Sequence, residues 1–345
     1  MHLSDAKVNM PADLTSCEPN SKGGRECIQV MVTEVRQLTP RIRSFRLRRV
    51  DLDVLPSFTP GSHIEVEVLQ PDGARGRRSY SLVGDPEDRT AYEIAVLHEA
   101  SGRGGSRFMH EQVQPGTPLR IFAPANHFEL DPSASRHLLI AGGIGITPLL
   151  CMARWLQAHG KSFELHYCAR SEEAMAYRAD VASLPADKVR CHFDGGDPSR
   201  GVDLEQLLGQ HAPGDAVYVC GPQPLIAAVI DTCSRHSWPK ADVHFEYFAA
   251  PPSGEEDTDF ELVLQRSGRT IRVPAGKSIL DALFEAGESP LHGCKTGDCG
   301  LCETAVLEGT PLHRDRVLSE GEKQSGRVMC ICVSRAASPQ LVLDL

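Results

Sequence analysis

Four cysteines constrain this chain more than any other feature: Cys294, Cys299, Cys302 and Cys332. The first three lie in one run, Cys294-Lys-Thr-Gly-Asp-Cys299-Gly-Leu-Cys302, with C-x4-C-x2-C spacing, and Cys332 follows after 29 intervening residues. Thiolates bind soft iron tightly, and this spacing is the plant-type pattern for a [2Fe–2S] centre. A loop carrying three ligands must wrap closely around inorganic sulfide. Gly293, Gly297 and Gly300 suit that, because a residue without Cβ tolerates positive φ and close approach. A structural zinc site draws on two separated C-x2-C knuckles, and one such pair fits here. A disulfide framework belongs to small secreted domains, whereas this chain is long and reads as one without a signal peptide. The fourth ligand has two candidates, since Cys330 and Cys332 both occur in Met-Cys-Ile-Cys-Val, where strand alternation would aim both at one face. Spacing favours Cys332 and leaves Cys330 as a small buried apolar residue.

A centre of this kind passes electrons singly, so the rest of the chain is expected to supply them. At 345 residues, two or three domains are expected. Hydrophobic content of 41% and charged content of 24% are those of a soluble globular protein. A formal net charge of −10 argues against nucleic acid as a partner, because phosphates need a basic face. Twelve cysteines and no signal peptide point to a metal centre in a reducing cytoplasm. Residues 138–156, LLIAGGIGITPLLCMARWL, imitate a membrane span, but Gly142, Gly143, Gly145 and Pro148 break the run and Arg154 interrupts its end. A strand, a tight turn and a buried helix are predicted instead, with no membrane association.

The chain divides into blocks. Residues 1–25 carry few large apolar groups and read as a disordered tail. Over 26–130, short strands separated by turns predict an antiparallel β-barrel, and Ile64, Val66 and Val68 alternate with Glu65 and Glu67 as in a half-buried strand. Over 131–248, strands at 137–141, 163–167, 189–193, 216–220 and 243–248 alternate with helices, which predicts a parallel α/β domain. Thr147 and Pro148 read as the N-cap and first residue of a helix that Gly160 ends. Residues 249–258 form a polar, acidic linker. In 259–345, Phe260, Leu262 and Leu264 alternate as a strand. Ser278 caps a helix through residue 286, with Asp281 completing a box-like start and Ile279, Leu280, Leu283 and Phe284 as its apolar face.

Chemistry concentrates in a few segments of the first two blocks. Arg78-Ser79-Tyr80-Ser81 offers a cation for a phosphate, a flat ring and a hydroxyl, the three things a flavin needs. Gly104-Gly105-Ser106 opens a helix predicted over 106–113, where free N–H groups attract an anion. Ala141-Gly142-Gly143-Ile-Gly145-Ile-Thr147-Pro148 joins a strand to a helix, where a pyrophosphate would rest, although Pro148 replaces the last glycine of the usual fingerprint. Cys220-Gly221-Pro222 ends a later strand, and such strand ends bind ligands in open α/β sheets.

Taken in order, these motifs resemble the ferredoxin–NADP reductase superfamily and, more narrowly, the phthalate dioxygenase reductase family, the reductase components of Rieske-type oxygenases. Glu246-Tyr-Phe248, His313-Arg-Asp315 and Cys332-Val-Ser-Arg335 share the likeness, which runs from about residue 28 onward. The resemblance implies an FMN-binding barrel, an NAD-binding domain and a C-terminal β-grasp ferredoxin. FMN (or FAD) would sit on Arg78, Ser79, Tyr80 and Ser81, with its phosphate near Gly104, Gly105 and Ser106. The nicotinamide of NADH would stack near Gly143, Gly145, Thr147, Cys220, Gly221 and Pro222, and Phe248 would cover the flavin until displaced. Electrons would pass from NADH through flavin and cluster to a terminal oxygenase for an aromatic or related small acid. No acid–base dyad or nucleophile is required, and none is nominated. Two alternatives stand beside this reading: an FAD-dependent reductase for a ferredoxin or haem protein, and a redox-sensing module without turnover. Arg170 reads as a solvated loop charge rather than a 2′-phosphate ligand, which favours NADH. Asp298 departs from the family pattern, and its charge beside the cluster is expected to lower the reduction potential.

Overall fold

A computed structural model describes residues 26–51, 54–71, 73, 75–100, 102, 104–248, 257–288, 290–293, 295–297 and 300–345. The predicted tail, most of the predicted linker, and Cys294, Asp298 and Cys299 lie outside the described residues. The chain divides into two compact units between Phe245 and Glu246.

The first unit begins with β1 (Cys27–Thr39), β2 (Ile42–Arg49), β3 (Ser62–Leu69), β4 (Arg75–Ser81), β5 (Tyr92–Leu97), α1 (Gly105–Glu111) and β6 (Pro118–Asn126). The strands form one antiparallel sheet in the order β4-β3-β6-β1-β2-β5, and a bridge between Leu82 and Ile94 brings its two edges together as a barrel. Val30, Val32, Phe45, Leu47, Ile64, Val66 and Ile121 fill its interior. One expectation is overturned here. Glu65 and Glu67 do not face water: both are buried. Cross-strand arginines make this possible, since a buried carboxylate persists only when paired. Arg75 Nη1 donates to Glu67 Oε1 at 3.0 Å, Arg120 also donates to Glu67, and Arg77 Nη1 lies 3.7 Å from Glu65 Oε2.

The same unit continues with β7 (Arg136–Gly142), α2 (Ile146–Ala158), β8 (Phe163–Ala169), α3 (Arg178–Ala182), β9 (Val189–Phe193), α4 (Leu204–Leu208), β10 (Asp215–Cys220), α5 (Gln223–Arg235) and β11 (Val243–Glu246). The sheet order is β11-β10-β7-β8-β9, with β10, β7, β8 and β9 parallel. The apolar run that imitated a membrane span resolves into β7, one 3₁₀ turn over Gly143–Gly145 and α2. Among the described residues no helix is long and apolar enough to cross a membrane. The last strand stops at Glu246, short of the predicted residue 248.

The second unit contains β12 (Phe260–Leu264), β13 (Arg269–Val273), α6 (Ile279–Glu285), β14 (Glu303–Glu308), β15 (Pro311–Leu312), α7 (Glu320–Ser325), β16 (Val328–Cys330), β17 (Arg335–Ala336) and β18 (Gln340–Leu343). Its main sheet runs β13-β12-β18-β14-β16, so β18 occupies the centre, parallel to β12 and antiparallel to β14. Ser278 Oγ accepts from Asp281 N at 3.0 Å and starts α6, whose Ile279, Leu280 and Leu283 bury against Leu262, Leu264 and Leu341. Each such side chain contributes about 2 kcal/mol by leaving water.

Candidate functional site: a thiol-lined loop, an arginine cradle and a sheet crevice

The loop after α6 is shaped by backbone that few side chains permit. Lys295, Gly297 and Gly300 have φ of 62°, 82° and 73°. A Cβ on Gly297 would stand 2.7 Å from Val333 Cγ2, so the loop lies directly on the segment that carries Cys332. Gly297 O accepts from Arg316 N at 2.9 Å. Asp315, buried, accepts from Leu318 N at 3.0 Å and from Ser334 Oγ at 3.2 Å, which ties the His313-Arg-Asp315 segment to the fourth-cysteine segment. Arg335 donates to the carbonyls of Lys277, Thr258 (2.9 Å) and Pro274 (3.1 Å), so it braces the same frame from below.

Cys302, Cys330 and Cys332 are all buried. The expected strand alternation fails, because β16 ends at Cys330 and a turn begins, with Val333 N and Ser334 N both donating to Cys330 O. Even so, the sulfurs converge. Side-chain hydrogen bonds from Cys330 first, and then Cys332, hold the Cys302 thiol well below the usual range, and the same bond with burial pushes Cys330 up. A group of buried thiols, one of them readily ionised, beneath a glycine-shaped loop is chemistry that fits soft iron.

In the barrel, β4 pairs with β3 so that Arg78 and Tyr80 lie opposite Val66 and Ile64. Ser79 and Ser81 lie opposite Glu65 and His63, on the other face of the strand. The structure therefore brings Arg78 and Tyr80 together and sets the two serine side chains apart from them. Burial pushes the Tyr80 phenol up, so it stays neutral. Gly104, with φ 85°, precedes α1, and a Cβ on Gly105 would fall 2.9 Å from both Cγ and Nε of Arg78. The bare glycine thus lets the guanidinium lie against the start of the helix, a cradle with the charge and space for a phosphate. Ser106 Oγ accepts from Glu99 N at 3.0 Å and folds the preceding loop back onto this corner.

In the parallel sheet the chain moves from β7 outward to β8 and β9, then returns to place β10 on the other side of β7. That reversal opens a crevice at the carboxyl ends of β7 and β10. Gly143, Gly145, Thr147, Cys220, Gly221 and Pro222 all lie there. The two turns touch backbone to backbone: a Cβ on Gly221 would stand 2.8 Å from Gly142 Cα, and one on Gly145 would stand 2.7 Å from Gly221 N. Thr147 is not the N-cap. The helix starts at Ile146 after the 3₁₀ turn, and Thr147 Oγ1 donates to Ile144 O at 3.0 Å. Phe248 is 44% exposed and falls in the second unit, as does Tyr247, whose ring carries the Arg316 guanidinium at 3.9 Å. The Arg316–Tyr247 stack and the Asp315 clamp had no signal in spacing or periodicity.

Comparison with known proteins places these sites in a lineage. Residues 139–231 match the oxidoreductase NAD-binding domain, and residues 262–337 match the 2Fe-2S iron-sulfur cluster binding domain. The chain is 41% identical to the carnitine monooxygenase reductase subunit of Escherichia coli (strain K12) over 93% of its length and 99% of that protein. It is 39% identical to phthalate dioxygenase reductase of Burkholderia cepacia over 92% of its length and 97% of that protein. A solved structure of phthalate dioxygenase reductase aligns with 92% of this chain and 98% of its own, at 38% identity and a TM-score of 0.79. The chain belongs to the phthalate dioxygenase reductase family. As a member of that family it is an oxidoreductase, with an antiparallel barrel, an NAD-binding sheet and a C-terminal [2Fe–2S] module in that order. The phthalate dioxygenase reductase fold accounts for the crevice at β7 and β10 and for the cysteine loop, which lie in the segments matched by the two domain models.

Proposed function

We propose that this protein is the NADH-dependent reductase component of an oxygenase system, delivering single electrons to a terminal Rieske-type oxygenase that acts on an aromatic or related small acid. The supporting observation is that one chain holds an arginine cradle, a switch-point crevice and a buried thiol cluster, in that order. When bound, flavin takes both electrons of the nicotinamide hydride together, and the [2Fe–2S] centre passes them on one at a time. The protein positions these groups. Arg78 would hold the FMN phosphate beside Gly104, Gly105 and Ser106, and Tyr80 would give the ring a flat apolar wall. The Gly145 and Cys220 turns would seat the nicotinamide. Cys294, Cys299, Cys302 and Cys332 would hold the iron. Arg170 is exposed and its carbonyl accepts from Gly195 N at 3.0 Å, which supports a solvated loop charge and a preference for NADH. The relatives' named substrates, carnitine and phthalate, are small carboxylic acids, and a partner with such a substrate is proposed here.

Anaerobic mixing with NADH should bleach the flavin, after which added cytochrome c should be reduced. Chromatography of the extracted flavin should give FMN, and kcat/KM should favour NADH over NADPH. A colourless protein after anaerobic preparation, or a flavin that NADH does not bleach, would sink the proposal. Extracted FAD would redirect it to the reductase of another acceptor.

A further inference from the structure

Two chains of polar contacts meet in one short segment of the first unit, and together they join the strand that carries Arg78 and Tyr80 to the Gly143–Gly145 turn. The first starts just past β4. Arg154, on α2, donates from Nη1 to Val83 O at 3.3 Å and from Nη2 to Asp180 Oδ1 at 2.5 Å. The second starts at the turn itself. Tyr167, fully buried on β8, donates to Gly143 O at 3.1 Å and accepts from Ala176 N at 3.1 Å. Ala176 and Asp180 are four residues apart, so one segment holds both ends. Between them Tyr177 keeps a left-handed φ of 57°, a conformation that a bulky residue holds only where its surroundings impose it. Cys151, one turn before Arg154 on α2, adds a third tie: its Sγ donates to Gly84 O at 3.3 Å, and the side chain packs in the barrel core. We propose that Arg154 and Tyr167 are positioning residues for hydride transfer, which set the distance between the flavin seat and the nicotinamide seat through Asp180 and Ala176. The proposal rests on the reading that flavin lies on Arg78 and Tyr80 and nicotinamide at the Gly145 turn.

Leverage explains why contacts so far from the rings matter. Ile146 begins α2 at the turn, and Arg154 lies eight residues on, about 12 Å along the helix axis. With Arg154 untied, a tilt of roughly 3° about that point moves the turn by about half an ångström. A misplacement of about 1 Å costs about 10²-fold in rate, so half of that costs about tenfold. Neither side chain needs to touch a cofactor, and both seats keep their own residues, so flavin and NADH still bind. Side chains that only held the fold together would behave differently: their loss would lower stability and leave the approach of the two rings unaltered.

The test is stopped-flow bleaching of the full-length, flavin-loaded protein at saturating NADH, with NADH affinity, flavin content and urea stability measured in parallel. Arg154→Met and Tyr167→Phe keep the bulk of each side chain and remove its polar contacts. Each should bleach about tenfold more slowly, with flavin retained and NADH affinity unaltered. Arg154→Lys keeps a cation for Asp180 and should recover part of the rate. The long-wavelength charge-transfer absorption of nicotinamide stacked on flavin reports ring contact without turnover, and it should weaken in both variants. Because the two residues lie in one chain of contacts, the double variant should be no slower than the slower single one. A product of the two effects, about a hundredfold, would make them independent and overturn the shared positioning. Parent bleaching rates overturn it too, as does slow bleaching with full charge-transfer absorption. If Arg154→Met fails to fold, Asp180→Asn carries the same test, since it loosens the joint and leaves Arg154 in place. Failure of the unaltered protein to bleach with NADH would instead overturn the reading of the two seats.

Discussion

Replacing Gly145 with alanine separates two explanations for a glycine at this turn on physical grounds alone. Gly145 has φ −62° and ψ −5°, a conformation that alanine adopts freely. Helix propensity would therefore make Gly145→Ala neutral or stabilising by about 1 kcal/mol. The packing gives the opposite sign. The new Cβ would press into the Cys220 carbonyl and stand 2.7 Å from Gly221 N, where ordinary contact begins at 3.4 Å. Both neighbours are backbone, so no rotamer change relieves the clash, and the turns after β7 and β10 must part by roughly an ångström. Overpacking of this kind costs up to ~3 kcal/mol. A comparable misplacement of a reacting group costs about 10²-fold in rate. Gly160→Ala, at the other end of α2, is the control: its φ is 63° and its Cβ would meet nothing within 4 Å. It should cost ~1–2 kcal/mol from backbone strain and leave hydride transfer alone. Urea denaturation and stopped-flow bleaching of the flavin by NADH measure the two effects. If Gly145→Ala unfolds like the parent protein and bleaches at the parent rate, the backbone-to-backbone contact does not organise the crevice.

Arg78→Ala should release flavin, raising its Kd roughly a hundredfold through loss of a charge-assisted phosphate contact; ultrafiltration followed by fluorescence of the filtrate checks this, and a variant that stays fully yellow contradicts it. His166 lies with its Nδ1 3.1 Å from His192 Nε2, and burial, then His192, lowers its pKa to about 4. An unfolded histidine takes its proton near pH 6.5, so this stability is complete above that pH and is lost as pH falls toward 4, by on the order of 3 kcal/mol. His166→Gln should flatten that acid limb in urea titrations at successive pH values, and an identical limb in the variant would assign the acid sensitivity elsewhere. Asp298→Asn should raise the cluster midpoint in a redox titration by removing the negative charge that precedes Cys299 in the sequence; an unchanged or lower midpoint refutes that role.

Much of the fold was legible where one residue type dominates the physics. Cysteine spacing marked the C-terminal block as a [2Fe–2S] module, which the match over residues 262–337 bears out, and Ser278 and Gly160 marked helix ends that the structure keeps. Sequence distance hid the rest. Nothing local to Gly142 announces Gly221 as its neighbour, because that contact is created by the return of the chain from β9 to β10. Thr147 was misread as a cap because the glycine-rich turn takes 3₁₀ geometry and starts the helix two residues earlier, at Ile146 with Gly145 as its cap. Glu65 and Glu67 were misread as solvent-facing because their arginine partners arrive from β4 and β6. Strand alternation erred at Cys332 because it cannot foresee a turn that begins one residue before it.

The central position of β18 sets an order for biogenesis. Both sheets of the first unit have all their strands once residue 246 has been synthesised, so that unit can fold while the rest of the chain is still emerging. The C-terminal sheet has a gap in its middle until residues 340–343 are made, after every cysteine proposed to receive iron has been added to the chain. The sheet that frames those thiols is therefore completed last, so the metal centre gains its full support only after the larger, first unit has all its strands.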